Sequence, residues 1–482
     1  MRRRIVLLAA LCALLLPGRA AAGGPSLQIG AAEDAVQKLT LVQSKAELDL
    51  LKLAGLTSVR VTATWRPGAT APSEDDATRL GSVVGAAALD GFLVYVSVSQ
   101  FGSGTTPLTD QAQSDFAHYA ASIAAKFPTL RAIIVGNEPN LNRFWLPQFN
   151  PDGTDAAAPA FESLLAKTYD AIKAVRPKLE VIGVALSPRG GDNPNSIRLT
   201  HSPTTFIKDL GAAYRVSGRT TPIMDAFGFH PYGDNSSQAP TFEHPNSTSI
   251  GLADYGKLVA LLGQAFDGTA QPGSTLPIFY DEYGVESVIP AAESPLYTGT
   301  EKMTTQPVDE TTQASYYRTA LALAFCQPNV EGILVFHAID ESTLDGWQSG
   351  LYYADGTPKS SLPGVRDAFA QVRRGIIAHC DGLQLTPKLR YLLWPRVAQL
   401  RRGRMVVAFA CDIDCRYAVS VAKQLRTGVA VGGVKITVTF PKRVAKGTYR
   451  VRLVLTAPVN PGPSLQRQSP PLSVPRQFVK VR

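Results

Sequence analysis

What this 482-residue sequence lacks narrows it first. Past residue 22 it has no run long and apolar enough to cross a bilayer, which takes about 20 residues. No Gly-x-Gly-x-x-Gly follows the first expected strand, so nothing favours a dinucleotide fold. No His lies near Cys411-x-x-x-Cys415, which argues against a zinc site there; no metal or organic cofactor is expected anywhere. Residues 383–482 hold two acidic side chains against 19 Lys and Arg. That stretch has neither a nucleic-acid-binding motif nor an aromatic platform of the kind that holds sugars.

The one long apolar run is N-terminal. Arg2-Arg3-Arg4, the stretch Ile5 to Leu16 and Ala20-Ala21-Ala22 read as the basic, apolar and cleavage regions of a signal peptide over 1–22, so a secreted or extracytoplasmic protein is expected. Leu11 rather than a small residue precedes Cys12, which speaks against lipidation. Beyond the leader four cysteines remain: Cys326, Cys380, Cys411 and Cys415. Three pairings are open; Cys326 with Cys380 and Cys411 with Cys415 is the simplest, since each pair stays within one region.

The net charge of +9 hides a division. Residues 383–482 carry +17, whereas residues 23–382 carry −12. This places a domain boundary near residue 380. At low salt the basic part would attract an anionic cell-envelope polymer; a plain solvated surface remains the alternative.

From residue 27 short apolar runs alternate with helical ones. Strands are expected at 27–32, 58–64, 92–99, 131–137, 180–186, 225–229, 277–282 and 332–337. Helices are expected near 44–54, 75–89, 111–126, 160–175, 203–213, 251–266, 310–325 and 362–372. Eight such pairs predict a (β/α)8 TIM barrel over 23–380, with a doubly wound sheet as the alternative. The long segments 139–159, 187–202, 230–250 and 283–309 then fall on the C-terminal face, where barrel sites are built. From 383 to 482 the period changes to two, as in Val434 to Phe440. That predicts a small β-sandwich with a proline-rich stretch at 457–476.

Two expected strands end in glutamate. Ile133-Ile134-Val135-Gly136-Asn137-Glu138 closes the fourth, and Ile278-Phe279-Tyr280-Asp281-Glu282 the seventh. A carboxyl group is costly to bury without partners. Two at the ends of opposed barrel strands can converge over the mouth, and paired carboxylates are the machinery for breaking a glycosidic bond.

Gly136-Asn137-Glu138-Pro139 resembles the Asn-Glu-Pro signature of the clan A glycoside hydrolases, particularly the cellulase-like and family thirty-nine members. Tyr280-Asp281-Glu282-Tyr283-Gly284 resembles that clan's strand-seven nucleophile segment. Phe229-His230-Pro231-Tyr232-Gly233 is similar to its strand-six His-x-Tyr pattern, Val59-Arg60-Val61 to its strand-two arginine, and Gly350-Leu351 with Asp355 to Lys359 to its closing segment. The resemblance implies a glycosidase acting on a carbohydrate substrate by double displacement, with Glu138 as acid/base and Glu282 as nucleophile. It further implies Asn137 on the sugar 2-hydroxyl, Arg60 and Tyr232 holding Glu282, and His230 lining the pocket. Two departures concern the substrate: Ser99-Gln100 stands where many members carry His, and Phe336-His337 where many carry Trp.

Trp65, Trp145 and Trp347 fall in expected C-terminal-face loops, where indoles stack on pyranose rings; Trp347 would replace the missing strand-eight indole and His337 would line the same subsite. Phe101 and Tyr283 are weaker candidates. Strand alternation points Asp281 away from the mouth, which assigns it to structure. Glu33-Asp34 and Asp340-Glu341 read as solvated loop charges or as substrate contacts. Two other functions use the same residues: a transglycosylase, and a non-catalytic glycan-binding envelope protein. Retention of both glutamates and Asn137 argues against the second.

Overall fold

The computed structural model describes residues 23–375 without a break, and beyond them mainly the strands between 391 and 481. The expected leader, 1–22, and nearly all of the proline-rich stretch 457–476 lie outside the described residues.

Eight parallel strands close into a barrel in sequence order: β1 (Gln28–Ala32), β2 (Ser58–Trp65), β3 (Leu93–Gln100), β4 (Ala132–Val135), β5 (Glu180–Leu186), β6 (Ala226–Phe229), β7 (Ile278–Tyr283) and β8 (Val330–Phe336). The closing pair runs β8 to β1, with Ala32 opposite Phe336. Between and after the strands lie α1 (Leu41–Leu53), α2 (Glu74–Asp90), α3 (Asp110–Lys126), α4 (Ala157–Val175), α5 (Pro203–Val216), α6 (Tyr255–Phe266), α7 (Glu310–Phe325) and α8 (Leu362–Arg374). The local sequence sets these limits. Ser73, Thr109, Ser202 and Asp309 each accept a backbone N–H three residues on, capping α2, α3, α5 and α7. Gly91 and Gly375 end α2 and α8 in the left-handed region, where a Cβ would be strained.

Every strand is buried on both faces, as a helix-covered parallel barrel requires. One set of side chains packs under the helices. The other, including Tyr95, Ile134, Ile182, Phe279 and Leu334, clusters separately and fills the barrel. The mouth is therefore a floored cleft, and side chains at the strand ends are held from below.

Two antiparallel sheets follow the barrel. One has the order β13 (Ile436–Phe440), β10 (Arg404–Cys411), β9 (Tyr391–Leu400). The other runs β12 (Gln424–Ala430), β11 (Cys415–Val421), β14 (Gly447–Thr456), β15 (Leu472–Ser473), with β16 (Gln477–Val481) also on β14. Met405, Val407, Phe409, Val419, Leu453 and Leu455 form their shared apolar core. Cys326 and Cys380, and Cys411 and Cys415, lie at disulfide distance, the simplest of the three pairings. Among the described residues no helix is long and apolar enough to cross a membrane.

Candidate active site

Two bulges at the C-terminal ends of strands shape the site. In β5, Gly183 and Leu186 face Phe227 and Phe229, three residues against two. The extra residue puts Val184 and Ala185 at positive φ and turns the Ala185 carbonyl toward the Glu138 N–H, 2.8 Å away. Glu138 itself sits at φ 42°, a conformation a glutamate avoids unless its surroundings impose it. Gly136 before it has φ 93°, and a Cβ there would come within 2.7 Å of the Phe161 ring, so only glycine serves.

The second bulge lies in β7. Tyr280 and Tyr283 face Ile333 and Val335, so Asp281 and Glu282 together stand opposite Leu334 alone. Strict alternation therefore fails, and Asp281 is not turned away from the site. Its carboxylate is fully buried among the catalytic candidates, which corrects the orientation expected for it, although it does not line the cleft.

His230, completely buried at the end of β6, joins these groups. Its Nδ1 lies 3.0 Å from Glu138 Oε1 and 3.4 Å from Glu282 Oε2, and its Nε2 lies 3.2 Å from Asp281 Oδ2. One atom thus reaches both glutamates, so their facing oxygens are at most 6.4 Å apart, the two contacts laid end to end. Arg60 donates to Glu282 Oε1 at 2.7 Å and to Asp281 Oδ2 at 3.3 Å. Tyr232 donates its hydroxyl to Glu282 Oε2 at 3.0 Å. Both oxygens of Glu282 are therefore held.

The electrostatics follow from this packing. Burial alone would push the His230 imidazolium down, but Glu282 and Asp281, with hydrogen bonds to Asp281 and Glu138, push it up to about 10. Burial would raise Asp281, yet His230 and Arg60 hold it below the usual carboxylate range. Burial and the charges of Glu282 and Glu138 drive the Tyr232 phenol well above its ordinary value, so it stays a donor. Two cations, His230 and Arg60, thus lie among three carboxyl groups, Asp281, Glu282 and Glu138.

A cleft of about 730 Å³ opens above this cluster. Asn137, Glu138, Arg60, Tyr232, Glu282, His337 and Trp347 line it, bringing together most of the residues expected there. Asn137 Oδ1 is buried without a hydrogen-bond partner, beside Glu138. His337 Nδ1 is tied to the Ala32 carbonyl at 2.7 Å. Trp347 lies 4.9 Å from Tyr232, ring to ring, and edge-on to Phe336. Phe101, 55% exposed, reaches the rim.

Other expectations need correcting. Trp65 is fully buried, donates to the Ala69 carbonyl and packs on Phe116. Trp145 is buried against Phe161. Neither indole lines the cleft: Trp65 ends β2 and packs on Phe116 of α3, and Trp145 packs from the loop after β4 on Phe161 of α4. Tyr283 is likewise buried against Tyr317. The two loop acid pairs are not simply solvated. Glu33 is buried and accepts the N–H groups of Ala338 and Ile339, and Asp340 is buried against Lys359 at 2.8 Å. Their neighbours Asp34 and Glu341 line the cleft. Sequence reasoning also missed Arg143, Arg189, Arg198 and Lys302 on the cleft wall. Their long loops were legible, but nothing in the spacing showed which side chains turn inward. The described residues contain no group of three or more His, Cys, Asp or Glu placed to hold a metal ion.

No match was found among protein-family models or curated proteins. Similar solved structures include a β-glucuronidase of Bacteroides uniformis, at 12% identity over 95% of this chain and 47% of that one, with a TM-score of 0.45. A GH5_18 protein of Streptomyces cattleya, solved with GlcNAc, gives 17% identity over 73% and 81% with a TM-score of 0.49. A monomeric β-xylosidase of Caulobacter crescentus gives 15% over 87% and 95% with 0.45. The chain spans about half the length of the Bacteroides protein. At this depth the likenesses say nothing of the reaction.

Proposed function

We propose that the chain is an exported glycoside hydrolase that cleaves a β-linked oligo- or polysaccharide with retention of configuration. One observation carries the reading: a single nitrogen of His230 lies within reach of both Glu138 and Glu282 across the barrel mouth. The ceiling of 6.4 Å between the facing oxygens is compatible with the spacing of about 5–5.5 Å between carboxyl groups that a retaining pair needs. An inverting pair stands about 6.5–9.5 Å apart to admit a water.

The contacts distribute the roles. Glu282 is held on both oxygens by Arg60 and Tyr232, which leaves Glu138, across the mouth, to bring the proton as general acid. It donates that proton to the leaving glycosidic oxygen while Glu282, held by Arg60 and Tyr232, attacks the anomeric carbon from the opposite side. Forming the glycosyl ester removes the charge of Glu282. Glu138, now a carboxylate, takes a proton from water, which attacks the ester and releases the sugar. Asn137, which lines the cleft beside Glu138, would take a substrate hydroxyl.

The test is a panel of aryl glycosides and polysaccharides turned over by wild type and Glu138→Gln. Loss of the acid should cost at least about 10²-fold for poor leaving groups and much less for activated ones. An equal loss for both kinds would remove Glu138 from that role.

A further inference from the structure

The cleft wall carries charge that the reaction above does not use. A second lobe of about 380 Å³ adjoins the first, and Tyr232 and Trp347 border both. Its lining includes Arg143 from the loop after β4, Arg189 and Arg198 from the loop after β5, and Lys302 from the loop after β7. Two acids line it. Of the four cations Asp234 pairs with Arg189 alone, at 3.5 Å, and it also approaches His244. Glu286 is pushed up to about 7 by burial. Arg143, Arg198 and Lys302 are exposed and pair with no carboxylate among the described residues. Lys302 donates only to the Asp345 carbonyl.

Residues 23–382 carry a net −12, yet four cations gather around this one lobe; some cations elsewhere on the barrel do sit against acids, as Lys45 does with Asp90 and Arg219 with Asp170. Across the cleft the acids Asp34 and Glu341 are already occupied, accepting the N–H groups of Thr62 and Trp347. Four cations from three loops repel one another unless an anion is bound between them, and guanidinium groups match the planar oxygens of carboxylate and sulfate. Arg189 is fixed by donating to the carbonyl of Gly233, next to Tyr232. Tyr232, which donates to Glu282, borders this lobe, so an anionic group there would lie beside the site of reaction.

We infer that the cleft selects an anionic glycan, whose carboxylate or sulfate group is taken by Arg143, Arg189, Arg198 and Lys302 in the lobe beside Trp347. This rests on the glycosidase reading and names its substrate class.

The test measures binding rather than turnover. Full-length Glu138→Gln would be applied to an array of uronic-acid polysaccharides, their carboxyl-reduced counterparts, and neutral polysaccharides with and without added sulfate. At least one anionic member should bind tenfold or more tightly than its uncharged counterpart, and whether the preference follows carboxylate or sulfate identifies the group. Adding Arg143→Gln and Arg198→Gln should abolish that preference. Adding Arg426→Gln, Arg450→Gln and Arg452→Gln on the exposed basic sheet should leave it intact. Equal binding of charged and uncharged members would overturn the inference, as would a preference lost only with the basic-sheet arginines. If wild type hydrolyses only neutral glycans, the inference falls and the glycosidase stands. If the preference holds but nothing is hydrolysed, the reverse is true.

Discussion

The floor of the cleft and its wall are built on opposite plans. On the floor, Arg60, His230, Asp281 and Glu282 are buried and every charge meets its opposite within 3.4 Å. On the wall, Arg143, Arg198 and Lys302 stand exposed with no carboxylate partner among the described residues. A buried network whose charges pair with one another holds one geometry and resists change, which suits the making and breaking of bonds. Exposed cations on loops are incomplete by themselves and suit the choice of ligand. Changes to the floor should thus alter rate and stability, and changes to the wall should alter which glycan is taken.

The comparison breaks most sharply at Glu282. Glu282→Gln should reduce turnover by at least about 10⁴-fold, as loss of a nucleophile does, while glycan binding persists. Retained turnover would move the nucleophile elsewhere. Next in size is the contrast between two indoles. Trp65→Ala should destabilise the fold by about 3–5 kcal/mol, the cost of emptying a core site, seen as a lowered denaturation midpoint. Trp347→Ala should raise KM several-fold and leave that midpoint nearly unmoved. The reverse pattern would return Trp65 to the substrate.

Asp281 sharpens the account of the floor, since it acts through His230 and Arg60. Asp281→Asn should lower kcat by about tenfold, a factor worth roughly 1.4 kcal/mol, with KM little changed. It should also pull the alkaline limb of the pH–rate profile downward, because His230 then loses its proton more easily. A loss of rate with the profile unmoved would make Asp281 a packing residue only. The smallest effect concerns pH and stability. His230 is raised from 6.5 to about 10 on folding. Its stabilisation is complete below about pH 6.5 and is lost as pH rises through about 10. Thermal melts of wild type should fall over that window more steeply than those of His230→Asn.

The barrel was legible because its strands are short apolar runs at regular spacing, and β1 to β8 begin and end within a few residues of expectation. The catalytic candidates were legible because Glu138 and Glu282 interrupt apolar runs where burial is costly. Asp281 was misread because alternation assumes a regular ladder, and the extra residue opposite Leu334 leaves no mark in composition. Trp65 was misread because β2 runs one residue further than expected and takes it into the sheet, and Trp145 because a loop's position does not reveal which way its indole turns. The cations on the wall come together only when the loops after β4, β5 and β7 are folded over one cleft.

The most direct test of the central claim is to trap the enzyme with a 2-fluoro-glycoside of the correct sugar and map the modified peptide by mass spectrometry. The account predicts a single glycosyl ester on Glu282, in the peptide containing Ile278–Tyr283. A label on any other residue would contradict it, as would a first-formed product of inverted anomeric configuration.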